Sequence, residues 1–167
     1  MTFVSRFSCD KLKEDLIKFF SNKEIGDKSQ DIYLSDLLVE NRYKRVKSVK
    51  DWKEGIRLVS QVLVENNSIH KKYINSIIEM VEKFGPYIVI ADGIALPHSN
   101  DFQYVNKIDA SILVLDDPCY IDNKKVDVFL IVGLIDKISH LNLFAQISEM
   151  LIIQIILKLS EKIIIKN

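Results

Sequence analysis

The sequence contains only two cysteines, and their positions exclude two common kinds of site. Cys9 and Cys119 lie far apart and fit no CxxC spacing, so they form neither a disulfide framework nor a cysteine-based zinc site. Cys119 also follows a proline between acidic residues, which disfavours ionisation of its thiol and argues against a nucleophilic role. We therefore expect a structural role for Cys119 and a reducing cytoplasm as the protein's compartment.

The chain also lacks an excess of charge of either sign and any long hydrophobic run. Lys and Arg together number 23, and Asp and Glu together also number 23, so the formal net charge is zero. No net positive charge therefore attracts nucleic acid or an anionic membrane. No stretch approaches the roughly 18 apolar residues that a membrane span needs, and the N-terminus has no signal-peptide core. We expect neither export nor membrane insertion, and any partner must be recognised locally.

Motifs for the commonest cofactors are missing as well. The sequence has no GxxxxGKS/T phosphate loop, no GxGxxG fingerprint, no HExxH motif and no GxSxG elbow. ATP-dependent, dinucleotide-dependent and zinc-peptidase activities lose their usual support, and we expect no cofactor and no metal. The 167 residues are 48% hydrophobic, which is enough to bury the core of one globular domain.

Periodicity along the chain predicts helices and strands in a definite order. Apolar residues at helical spacing occur in the segments 10–20, 50–68, 70–86 and 138–167, the last with Leu141, Phe144, Ile147 and Leu151 on one face. Short β-branched runs that predict strands are 87–91, 93–98, 109–117 and 125–136, and a solvated strand is expected around Tyr43 and Val46. Asp51 is the expected N-cap of the second helix, and Gly85-Pro86 ends the third. The order predicts a sheet covered by helices, of α/β or α+β class.

A single histidine directly follows the proline of the strand-like segment GPYIVIADGIALPHSN. Because Pro97 cannot donate to a sheet ladder, pairing ends there and His98 is placed at the end of a strand. A neutral imidazole can act as a nucleophile and accept a phosphoryl group. The small residues Gly93, Ala95 and Ser99 would leave room for a donor protein. The alternative is a turn histidine without a catalytic role.

His140 lies in the segment DKISHLNLF, after a strong strand and at the start of a helix. Strand ends and helix N-termini are places where backbone amides and the helix dipole hold phosphate oxygens. A ligand-holding role for His140 is one interpretation, and packing against the end of the sheet is the other. His70 opens the preceding predicted helix and is expected to be a solvated residue.

The segment from DWKEGIRLVS to EKFGPYIVIADGIALPH closely resembles enzyme IIA of the bacterial sugar phosphotransferase system (PTS), mannitol/fructose superfamily, and within it the ascorbate-type branch. The resemblance runs from about Leu34 to about Met150, with EKFGPYIVIADGIALPHS as its most specific element. It implies an α/β fold, with a mixed β-sheet flanked by helices in a three-layer sandwich. It also implies an enzyme IIA domain over 32–167, preceded by a helix and linker over 1–31.

The resemblance further implies an enzyme, a phosphotransferase with a phosphohistidine intermediate. His98 would accept the phosphoryl group from phospho-HPr and transfer it to a cysteine of enzyme IIB, which serves the membrane enzyme IIC and an ascorbate-like sugar. His140 would help to stabilise the phosphoryl group, and Ser99 and Asn100 are further candidates for hydrogen bonds to its oxygens. The expected location is the cytoplasm, with no direct nucleic-acid contact, and assembly into a homo-oligomer is an open alternative.

A regulatory function is the second hypothesis. The N-terminal segment CDKLKEDLIKFFSNKEIGDKSQDIYLSDLL resembles the connector that precedes enzyme IIA-like domains in transcriptional regulators of the antiterminator type. In that case phosphorylation of His98 would report the state of sugar transport and control binding to another protein. Transfer to enzyme IIB separates the two hypotheses, because only a transport component must pass the phosphoryl group onward.

Overall fold

The structure, a computed structural model, describes residues 32–135, 143 and 145–149, and in that part every side chain except that of residue 40. The helix expected at 10–20, the linker at 21–31 and His140 lie outside the described residues.

Short elements precede the two long helices that the sequence predicts. The helices are α1 (Leu34–Leu37), α2 (Trp52–Glu65) and α3 (Lys71–Phe84), with 3-10 turns at Glu40–Arg42 and Phe102–Tyr104. The strands are β1 (Tyr43–Val46), β2 (Val89–Ala91), β3 (Gly93–Ala95), β4 (Asp109–Ile121) and β5 (Lys124–Gly133). Residues 145–149 are helical again, within the helix predicted after residue 137.

The predicted ends of the long helices are confirmed at the atomic level. The Asp51 side chain accepts a hydrogen bond from the backbone N–H of Glu54 at 2.8 Å, which caps α2. Helix α3 ends at Gly85, whose φ of 77° lies in the left-handed region that glycine adopts without strain. These ends fix where α3 stops and where the chain turns back toward the sheet.

The five strands form one mixed sheet in the order β1-β4-β5-β3-β2. β1 pairs with β4 and β3 with β5 in parallel, whereas the β4–β5 and β2–β3 pairs are antiparallel. β4 extends to Ile121, beyond the predicted strand, and its register with β5 shifts between Val114 and Cys119. Pro118, which has no N–H to donate, lies within this irregular stretch. β1 is mostly exposed, as expected for a solvated edge strand.

Two hydrophobic clusters lie on opposite faces of this sheet. Along β5, Phe129 and Ile131 belong to the cluster covered by α2 and α3, while Leu130 and Val132 belong to the other. The second cluster also contains Leu34 of α1, Leu143 and Ile147, the last on the apolar face that the sequence predicted. Helices thus cover both faces of a mixed sheet, which confirms the predicted α/β fold.

A largely buried ion pair joins the start of β4 to the 3-10 turn at Glu40–Arg42. The Arg42 guanidinium donates to both carboxylate oxygens of Asp109, at 2.9 and 2.8 Å, and the Ser68 hydroxyl donates to the same carboxylate. Only 11% and 7% of the two charged side chains is exposed. Burial opposes ionisation of Asp109, but the Arg42 and Ser68 hydrogen bonds outweigh it and hold the carboxyl pKa below its ordinary value.

Asp109→Asn is expected to reduce the free energy of unfolding by about 3 kcal/mol at pH 7, because it leaves the Arg42 charge buried without a counter-ion. Because the pKa of Asp109 is lower in the folded state, the ion pair contributes its full stabilisation above the unfolded-state pKa near 3.8. This contribution to the free energy of unfolding is lost as the pH falls through the lower folded-state pKa. Urea unfolding at pH 7 and pH 3 should therefore show the variant's deficit shrinking in acid. Asp116→Asn, which removes an exposed pair with Arg45, is the control. A deficit that is equal at both pH values would contradict this account.

Candidate active site

His98 lies just beyond the end of β3, where two buried residues carry the chain out of the sheet. The backbone N–H of Leu96 donates to the carbonyl of Ile88 at 2.7 Å, and Pro97 then offers no donor. Leu96 is 2% exposed and belongs to the second hydrophobic cluster. The side chain of His98 is half-buried. The prediction that pairing ends at the proline and leaves the histidine at a strand end is confirmed.

The imidazole of His98 is oriented by its own loop. Its Nδ1 lies 2.8 Å from the backbone carbonyl oxygen of Leu96. A carbonyl oxygen only accepts hydrogen bonds, so Nδ1 must carry the proton in this contact. In the neutral ring the other nitrogen, Nε2, then holds the lone pair. The contact thus distinguishes the two ring nitrogens of His98.

Tyr87 contacts both the main chain and the ring of His98. Its hydroxyl donates to the His98 carbonyl oxygen at 2.7 Å. Its ring stands nearly perpendicular to the imidazole, at an interplanar angle of 83° with centroids 5.2 Å apart. Burial raises the pKa of Tyr87 to about 12, so the hydroxyl remains a donor across the physiological range. The sequence did not single out this residue beyond placing it in a strand-like run.

A buried hydroxyl cluster lies under the residue that follows His98. The Ser99 N–H donates to the Tyr73 hydroxyl oxygen at 3.3 Å, and the Ser99 hydroxyl lies 3.0 Å from the Ser76 hydroxyl and 3.3 Å from an Asp101 carboxylate oxygen. Tyr73 is fully buried, and burial raises its pKa to about 12. The Ser99 hydroxyl is thus held inside the protein, 2% of the residue being exposed. It anchors the loop, and its position does not support the predicted role as a donor to a phosphoryl group.

The small residues near His98 have packing roles. Gly93, Ala95 and Ser99, which were expected to leave room for a donor protein, are all buried. Gly93 has a φ of 80°, and a Cβ at this position would lie 2.8 Å from an Asp127 carboxylate oxygen. Asn100 is exposed beside the site.

The remaining candidate residues have the structural roles that the sequence predicted, where they are described. Exposed His70 is the N-cap of α3 and accepts from the Lys72 N–H at 3.3 Å. Cys119 is buried, and burial raises its thiol pKa to about 11, which disfavours the nucleophilic thiolate. His140 lies outside the described residues.

Residues 32–135, 143 and 145–149 contain no group of three His, Cys, Asp or Glu side chains arranged to hold a metal ion. In the same part of the chain, no helix has the length and apolar character needed to cross a membrane.

Comparison with known proteins agrees with this geometry. Residues 36–160 match the sequence profile of the family described as phosphoenolpyruvate-dependent sugar phosphotransferase system, EIIA 2. The chain belongs to this family. It is therefore a phosphotransferase of the sugar PTS, as predicted. The ascorbate-specific PTS system EIIA component of Escherichia coli (strain K12) is 32% identical over 111 residues, which cover 64% of this chain and 72% of that protein.

Solved structures share the fold of this EIIA chain. The mannitol-specific cryptic phosphotransferase enzyme IIA from Escherichia coli matches with a TM-score of 0.69 and 28% identity, over 76% of this chain and 88% of that one. The complex of enzyme IIA and phosphorylated enzyme IIB for mannitol from Escherichia coli matches in fold alone, with a TM-score of 0.57 and 15% identity over 67% of this chain and 79% of that chain. The chain spans 63% of the length of a PTS IIA domain from Streptococcus pyogenes M1 GAS, with 31% identity and a TM-score of 0.55 over 57% of this chain.

Ser99→Ala is expected to lower the free energy of unfolding by about 1 kcal/mol, because it removes a hydrogen-bond partner from buried Ser76 and from half-buried Asp101. Urea unfolding monitored by circular dichroism measures the change. Asn100→Ala, at the exposed neighbouring position, is the matched control and should leave stability within about 0.5 kcal/mol of the natural protein. If the two variants were equally stable, the Ser99 hydroxyl would not anchor the loop.

Proposed function

We propose that this chain is an enzyme IIA component in which Nε2 of His98 accepts a phosphoryl group from phospho-HPr and transfers it to a cysteine of an enzyme IIB. The observation that carries the proposal is the 2.8 Å contact between His98 Nδ1 and the Leu96 carbonyl. It presents Nε2 as the nucleophile at a half-buried strand end. Membership of the EIIA 2 family supports the reaction class.

The same contact serves both transfer steps. The Nε2 lone pair attacks phosphorus while the bond from phosphorus to the donor atom of phospho-HPr breaks, so the ring becomes positively charged. The Nδ1–H bond to the Leu96 carbonyl stabilises this charge, because a charged donor makes a stronger hydrogen bond. A cysteine thiolate of enzyme IIB then attacks phosphorus, and the P–N electron pair returns to Nε2. Keeping the Nδ1 proton makes the imidazole a good leaving group.

His140 is proposed to help hold the phosphoryl oxygens, as the resemblance to enzyme IIA implies. The substrate of the system is proposed to be ascorbate-like, since the curated relatives are ascorbate-specific EIIA components. The sugar itself would be bound by the membrane enzyme IIC, which the partner enzyme IIB serves. A complex of this fold with phosphorylated enzyme IIB supports the choice of partner. The proposed location is the cytoplasm.

Replacing His98 and replacing His140 are expected to affect phosphorylation differently. His98→Ala should abolish labelling when the protein is incubated with enzyme I, HPr and phosphoenolpyruvate, because the nucleophile is gone. His140→Ala should slow transfer and shorten the lifetime of the phosphorylated state without abolishing it. Intact mass before and after acid treatment measures an acid-labile phosphate. His70→Ala, at the exposed N-cap of α3, is the control and should be labelled like the natural protein. Full labelling of His98→Ala would overturn the assignment.

Onward transfer distinguishes a transport component from a regulatory domain. The resemblance of residues 9–38 to the connector of antiterminator-type regulators makes this the relevant alternative. The phosphorylated protein is mixed with a purified ascorbate-type enzyme IIB and with a variant of it that lacks its cysteine. We expect rapid loss of phosphate from this protein and its appearance only on the cysteine-containing enzyme IIB. Stable phosphate on this protein in both mixtures would favour the regulatory function.

A further inference from the structure

We propose that Tyr87 is a positioning residue for phosphoryl transfer, setting the orientation of the His98 imidazole through a hydrogen bond to its main chain and an edge contact with its ring. The inference rests on the proposed function of His98 and adds a residue that the sequence did not assign to the site. The Tyr87 hydroxyl is engaged by the His98 carbonyl, so we assign Tyr87 a positioning role that acts through His98.

The Tyr87 side chain makes two contacts that restrict His98. The hydroxyl bond of 2.7 Å to the His98 carbonyl fixes the backbone from which the imidazole projects. The perpendicular ring contact, at 5.2 Å between centroids, limits the swing of the imidazole itself. The Leu96 carbonyl contacts Nδ1 as a third point. His98 is therefore held at its own main-chain carbonyl, at its ring face or edge against Tyr87, and at one ring nitrogen.

Tyr87 is itself held by a tight turn between α3 and β2. Its backbone N–H donates to the Gly85 carbonyl at 2.8 Å, and the Val89 N–H donates to the Pro86 carbonyl at 3.1 Å. The next residue, Ile88, is fully buried and accepts the Leu96 N–H. Hydrogen bonds within the turn therefore hold the main chain at Tyr87, and the bond from Leu96 to Ile88 joins the next residue to the segment that carries His98. A rigid support of this kind is what a positioned nucleophile requires.

The hydrogen bond from the Tyr87 hydroxyl to the His98 carbonyl determines what this hydroxyl can contribute. A hydroxyl has one proton to donate, and here the proton goes to the His98 carbonyl. The group stays protonated because burial raises its pKa to about 12. Orientation, rather than acid catalysis, is thus the contribution that the geometry supports. In-line transfer is sensitive to such orientation, since a misplacement of about 1 Å can cost roughly 100-fold in rate.

Two variants separate the hydroxyl from the ring. Tyr87→Phe keeps the ring contact and loses the hydrogen bond, whereas Tyr87→Leu loses both. Tyr120→Phe is the control, since Tyr120 is exposed and lies near the β4–β5 turn. Single-turnover transfer at increasing phospho-HPr concentrations gives the maximal rate constant (kcat) and the half-saturating concentration (KM). NMR of the histidine ring nitrogens reports which nitrogen of His98 carries the proton. All measurements are made at a temperature where each variant is fully folded by circular dichroism.

We expect kcat to fall about 5-fold in Tyr87→Phe and about 50-fold in Tyr87→Leu, with KM within about 2-fold, because orientation affects the reaction and not docking. The ring-nitrogen spectrum of Tyr87→Leu should shift from one tautomer toward a mixture. Fully folded variants with natural kcat and an unchanged spectrum would overturn the inference while leaving the proposed function intact. Failure of the natural protein to be labelled on His98 would overturn both.

Discussion

The hydrogen bond between His98 Nδ1 and the Leu96 carbonyl is the interaction on which the proposed chemistry of this protein depends. It joins residues only two apart, so it forms only when the intervening chain has the right shape. Buried Pro97 restricts that shape, and burial of Leu96 fixes the carbonyl in space. Which ring nitrogen of His98 carries the proton is therefore a consequence of how the end of β3 packs, and a single backbone carbonyl decides it.

The fold supports this short loop from several directions. β3 lies between β2 and β5, so the strand that carries His98 is paired on both sides. Helix α3 supplies Tyr73 and Ser76 beneath Ser99, and the turn that follows α3 supplies Tyr87. Helix α3 and the turn that follows it thus do more than cover the sheet. They supply polar contacts to the main chain of the candidate active site.

Helices, strands and the candidate nucleophile could be predicted because each has a local signal in the sequence. The Asp51 cap, the Gly85 stop and the proline before His98 act within a few residues of where they occur. The passage of β4 through Pro118 could not be predicted, because it depends on the register with β5. The contacts of Tyr87 and Ser99 were missed for the same reason, since they join residues 11 and 23 positions apart.

The proposal that Nε2 of His98 is the phosphoacceptor can be tested directly by the position of phosphorus on the ring. The natural protein, labelled with nitrogen-15 in its histidines, is phosphorylated through enzyme I and HPr and kept at alkaline pH. One-bond coupling between phosphorus-31 and nitrogen-15, assigned to His98, identifies the bonded nitrogen. The account predicts coupling to Nε2 with Nδ1 still protonated. Coupling to Nδ1, or to another histidine, would contradict it.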